Sequence, residues 1–138
     1  MLETQQINQA IADALTALGL AEELAWEDDE LMCSEGHFTS MTQWHRRVGE
    51  PCPKGLGECG KPLMRMPHDF TDLRYLIPAV ESYCEEYDYG LTCVPYDGGL
   101  MWLVVINTLN DVLKYYGDAA TLVEALRDAF AAALGVTI

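Results

Sequence analysis

Nine glycines and prolines fall between residues 35 and 70: Gly36, Gly49, Pro51, Pro53, Gly55, Gly57, Gly60, Pro62 and Pro67. Proline fixes φ and removes a backbone donor, and glycine gives up the most freedom on ordering. No regular element of any length is expected across this stretch. Irregular segments this long are uncommon inside compact domains and are usually functional or disordered. Phe38, Met41, Trp44, Val48, Leu56, Leu63, Met64 and Met66 argue against a solvated tail. The stretch is read as a packed insert within one domain spanning residues 1–138. Half of the 138 residues are apolar and 22% are charged, which suits a globular chain. At this length a core forms without help from a disulfide or a metal.

Around the insert the apolar periodicity alternates between helix and strand. Ile7, Ile11, Ala14, Leu15 and Leu18 share one face of a helix over 4–18, with Thr4 as N-cap and Gly19 just past its end. Residues 23–26 fit either helix or strand. Glu27, Asp28, Asp29 and Glu30 read as an acidic turn, and 31–34 as a short strand. Leu73, Leu76, Ile77, Val80, Cys84 and Tyr87 mark a helix over 71–87, capped by Asp69 or Thr71. Pro78 either kinks that helix or opens its regular part. Strands over 91–95 and 100–107 flank Tyr96-Asp97-Gly98-Gly99, a hairpin signal. The second strand is apolar on both faces, as in a central strand with cover on each side. A further strand is placed over 112–116. Thr121 and Glu124 fit a capping box that opens a last helix over 121–134, ended by Gly135. The sum is an α/β domain: a small, mainly antiparallel sheet with helices on both faces, an α/β/α sandwich.

Charge is unevenly distributed. The net charge is −14, yet residues 37–68 carry +3, and the rest of the chain −17. So acidic a body repels nucleic acid and anionic membranes, which excludes extended nucleic acid and a membrane surface as partners. A small anion can still sit in a local basic pocket, because most of the acidic surface lies beyond a Debye length of about 8 Å. The longest apolar run, 100–106, is too short for a membrane span. The first residues lack the basic and apolar regions of a signal peptide, so a host-cell cytoplasm with reduced thiols is expected.

Two constellations carry chemistry. Trp44, His45, Arg46, Arg47, Lys54, Lys61 and Arg65 supply guanidinium forks, ammonium groups and a flat apolar ring, the parts needed to hold phosphate and stack a base. Against this stands a solvated charge cluster. Cys33, His37, Cys52 and Cys59 can make a Cys3His zinc site, with His45 or His68 as substitutes. Their C-x3-H and C-x6-C spacings are wider than the compact knuckle. Against this stand small buried thiols. No nucleophile motif, P-loop or H-E-x-x-H is present, so a non-enzymatic protein is expected. Tyr87, Tyr89, Tyr96, Tyr115 and Tyr116 read as ordinary packing and surface residues. The acidic clusters read as solvated surface.

Thr71-Asp72, Ala79-Val80-Glu81, the hairpin around Trp102, and the run from Tyr116-Gly117-Asp118 to Glu124-Ala125 resemble the phage ABA sandwich domain family over residues 69–134. The resemblance implies the α/β/α fold and a phage origin, and supplies no catalytic residues. By analogy with small phage proteins that counter host defence, the basic insert suggests sequestration of a small phosphorylated signal, such as a cyclic dinucleotide or a cyclic ADP-ribose isomer. Two alternatives remain open: an acidic inhibitor of a host factor, and a zinc-stabilised structural phage protein. A homodimer suits the apolar fraction and the small sheet.

Overall fold

A computed structural model of the chain describes residues 3–42, 46–53, 59–108 and 113–137. In chain order the elements are α1 (Thr4–Ala17), β1 (Trp26–Met32), β2 (Phe38–Ser40), β3 (Met64–Pro67), α2 (Leu73–Tyr87), β4 (Gly90–Tyr96), β5 (Met101–Asn107), β6 (Lys114–Ala119) and α3 (Leu122–Leu134), with a 3-10 turn over Glu22–Leu24. They form two compact units. One comprises residues 1–25 and 68–138, and the other is the intervening Trp26–Pro67. Among the described residues no helix is long and apolar enough to cross a membrane.

The larger unit holds all three helices and the antiparallel sheet β4-β5-β6. Its register aligns Cys93 with Val104 and Val104 with Gly117. Val104 and Ile106 alternate inward and are fully buried. α3 lies across β5 and β6, and α1 and α2 pack on α3. Gly117 sets how closely α3 approaches. A Cβ there would lie 1.7 Å from the Ala125 carbonyl oxygen and 2.8 Å from the Ala129 nitrogen. Cover thus falls mainly on one face. Leu103 and Val105, expected beneath a second helical layer, stay half-buried. β4 is exposed along its whole length.

The helix ends show their chemistry. The Thr121 hydroxyl accepts from the Glu124 N–H at 3.3 Å, and Gly135 closes α3 with φ +77°. The N-cap of α1 is Glu3, one residue before the expected Thr4, and its N–H donates to the Gln6 side chain at 2.9 Å. For α2 the cap is Asp72, whose carboxylate accepts from the Arg74 N–H at 2.9 Å. Asp69 instead binds Thr71 and Asn8, which ties the approach to α2 onto α1. Pro78 sits mid-helix on the exposed side of α2, where the bond lost to its missing N–H faces water.

The smaller unit is the antiparallel sheet β2-β1-β3. Leu31 pairs with Thr39 and with Arg65. The run Glu27–Glu30, expected as a turn, belongs to β1. Its acids are half-buried or exposed, while Trp26, Leu31 and Met32 are buried. Strand pairing with distant residues overrides the poor strand propensity of the acids. The pairing with β3 shifts register between Trp26 and Leu31, and Asp29 within that shift has φ +63°. The Asp29 carboxylate accepts from Ser40 Oγ and from the Thr42 N–H, each at 2.7 Å, and from the Thr42 hydroxyl. The core of the unit is Leu31, Cys33, Cys52 and Leu63, with Met41 and Cys59 against it.

Candidate metal centre

Two backbone turns aim four side chains at one point. Cys33 leaves the end of β1, and its N–H donates to the His37 carbonyl at 3.0 Å. Gly36 closes this turn with φ +84°, its N–H donating to the Cys33 carbonyl at 3.0 Å. The second turn repeats the device. The Cys52 N–H donates to the Lys61 carbonyl at 2.8 Å, and Gly60, with φ +61°, returns its N–H to the Cys52 carbonyl at 3.4 Å. A Pro51–Pro62 bridge closes its base. Each glycine stands beside a ligand-type residue, in a left-handed conformation that a side chain would strain.

The donor atoms of Cys33, His37, Cys52 and Cys59 all lie within 4.8 Å of one another. Cys33 Sγ is 3.8 Å from Cys59 Sγ and 3.4 Å from His37 Nδ1, and Cys52 Sγ is 3.7 Å from His37 Nδ1. A tetrahedral ion with bonds of about 2.3 Å to sulfur and about 2.0 Å to nitrogen needs edges of roughly 3.8 Å (S···S) and roughly 3.6 Å (S···N). These three separations meet that requirement, and the remaining three stay within 4.8 Å. They are far too long for a disulfide of about 2.05 Å, and all five cysteines are free. The four residues therefore cluster at metal-binding distance.

Burial pushes the Cys33 thiol up, but N–H groups of His37 and Glu35 and the thiols of Cys59 and Cys52 outweigh it and bring it down to about 7. Cys59 moves the other way. The Lys61 N–H lowers it, but burial and the neighbouring sulfurs prevail and raise it. Cys33 and Cys52 are buried, and His37 and Cys59 are half-buried at the rim. Among the described residues no other group of three or more His, Cys, Asp or Glu shares such a spacing.

His68 is not a member of the Cys33, His37, Cys52 and Cys59 group. It lies in the larger unit, with Nε2 at 2.7 Å from the Glu23 carbonyl oxygen and its ring stacked on Tyr75 at 4.4 Å. Trp44, His45 and Lys54 lie outside the described residues. Of the other phosphate-ligand candidates, Arg46 is 3.9 Å from Glu50, and Arg65 lies 5.6 Å over the Trp26 ring. Arg47 and Lys61 are exposed.

No protein-family model matches the chain, and neither does any curated protein or solved structure.

Proposed function

We propose that the chain is a non-enzymatic protein whose Trp26–Pro67 unit is built around a structural zinc ion held by Cys33, His37, Cys52 and Cys59. One observation carries the reading: the four donor atoms lie within 4.8 Å of one another, and three of their six separations match the edges of a tetrahedron drawn at zinc–ligand bond lengths. Three thiolates and an imidazole in a tetrahedral set favour zinc over hard cations. Four protein ligands leave no coordination position for substrate, so the metal's role is to hold the two turns together. The charge pattern agrees. Three thiolates around one divalent cation leave a net negative centre, and it falls in the part of the sequence that carries a positive balance.

A phosphate pocket is the weaker reading. Arg46 approaches a carboxylate and Arg65 a tryptophan face, so these two arginines have protein partners in place of a shared hollow.

Metal analysis of the purified chain tests the proposal. One zinc per chain is expected, exchangeable for cobalt(II) with the absorption of a tetrahedral thiolate site. Cys52→Ala and His37→Ala should each abolish stoichiometric loading. A chain that takes up neither metal at neutral pH under reducing conditions overturns the reading.

A further inference from the structure

The larger unit contains a cleft of about 350 Å3 to which the sequence assigns no role. All three helices end at it. Ala17 is the last residue of α1, Tyr87 the last of α2 and Leu134 the last of α3, and each lines the cleft. A helix C-terminus carries the equivalent of about half a negative charge. None of the three has a basic residue in its last turn to offset that charge.

Four phenol rings complete the wall: Tyr83, Tyr87, Tyr89 and Tyr115. Tyr83 is buried and donates its hydroxyl to the Ala133 carbonyl at 3.3 Å, so its ring is fixed. Tyr87 and Tyr89 lie 5.1 and 5.6 Å from it, tilted by 51° and 68°. Tyr87, Tyr89 and Tyr115 remain half-buried. Three of the five tyrosines read as ordinary packing and surface residues, Tyr87, Tyr89 and Tyr115, thus line one cleft with Tyr83. Among the described residues no lysine or arginine lines the cleft, and Glu86 and Asp88, which flank Tyr87 in sequence, are exposed.

Aromatic faces and helix C-termini present negative potential, and the rings also give apolar contact. An anion meets no basic side chain among the described lining residues. A strongly hydrated metal cation gains little from alanine and phenol faces. A compact cation with an apolar skin gains from both the charge and the surface. The volume falls in the range of small-molecule sites.

We propose that this cleft binds an organic cation of the alkylated-ammonium class. The inference is independent of the zinc reading, because every residue it uses lies in the other unit.

The test is calorimetric titration of the full, metal-loaded chain with choline, with tetramethylammonium, and with the uncharged isostere of choline in which carbon replaces the quaternary nitrogen. Saturable binding of either cation is expected, with the isostere at least about ten-fold weaker than choline. Tyr89→Leu and Tyr115→Leu should each weaken the cations by about three- to thirty-fold, with helix content and zinc stoichiometry kept. Tyr89→Phe retains the ring and should stay within about two-fold of the parent. Equal affinity for choline and its isostere would make the cleft an apolar pocket and overturn the proposal. So would the absence of saturable heat for both cations up to about 10 mM.

Discussion

Removing the metal should open one unit and spare the helices of the other. Among the described residues of the 42-residue Trp26–Pro67 unit, the buried core cluster has four members, two of them the cysteines Cys33 and Cys52 of the candidate metal centre. Among the described residues its fully buried aliphatic side chains are Leu31 and Leu63. At about 1.5–3 kcal/mol each, they supply roughly 3–6 kcal/mol. Structural zinc in zinc-finger peptides supplies about 10–16 kcal/mol. The ion therefore outweighs the two leucines, and at about 40 residues a chain rarely holds a fold without such a clip. All three helices lie outside this unit. A high-affinity chelator should therefore leave the helical circular-dichroism signal in place at 25 °C. Meanwhile the amides that bond across the small sheet and its turns, such as Gly49 N–H to the Leu63 carbonyl at 2.8 Å, should lose exchange protection. Buried Cys33 and Cys52 should become open to alkylation. Hydrogen-exchange mass spectrometry with alkylation mapping reads both. Continued protection of the 26–67 peptides after verified zinc loss would refute the reasoning, as would collapse of the helical signal together with the metal.

In the larger unit, Gly117→Ala puts a Cβ at 1.7 Å from the Ala125 carbonyl oxygen, so α3 must retreat by roughly 1.5 Å to restore contact distance; a loss of about 3 kcal/mol or more in urea unfolding is expected. Gly90→Ala meets nothing closer than 3.9 Å and should change stability by no more than about 0.5 kcal/mol. The Asp69 carboxyl is held below the usual carboxylate range, chiefly by the Thr71 hydroxyl and N–H, with Asn8 adding to them against partial burial. A depressed folded value contributes stability above the unfolded pKa of about 3.9, and that contribution disappears as pH falls through the lower folded value. Unfolding midpoints should drop on acidification below about pH 4, and Asp69→Asn should flatten that part of the profile.

What local pattern controls was legible in the sequence. Ile7, Ile11 and Leu15 repeat at helical spacing and are buried on α1. Thr121 and Gly135 mark the ends of α3 because capping needs only neighbouring atoms. β1 was legible only at its end, Leu31 and Met32: nothing within Glu27–Glu30 favours a strand, and its partners in β3 lie more than thirty residues away. The four residues of the candidate metal centre were legible by residue type, not by spacing. The missing signal was the pair of glycines, Gly36 and Gly60, each beside a ligand and each bonded back to a cysteine carbonyl. The tyrosine cleft was invisible because Tyr115 reaches it from a strand and Tyr83 from a helix, a convergence that no single periodicity records.

Trp26 and Pro67, the first and last residues of the smaller unit, are partners in one strand pair. The inserted stretch thus begins and ends at adjacent points. For the rest of the chain this decides a folding cost. Residues before 26 and after 67 must meet across either a floppy tether or a pinned one. Closing a flexible span of 42 residues costs about 3 kcal/mol in chain entropy from its length alone. Once the β1–β3 pair is locked, that cost has already been met, and the ribbon spans the gap almost like a two-residue link. The ion would then govern how readily the distant helices find each other, without touching any of them.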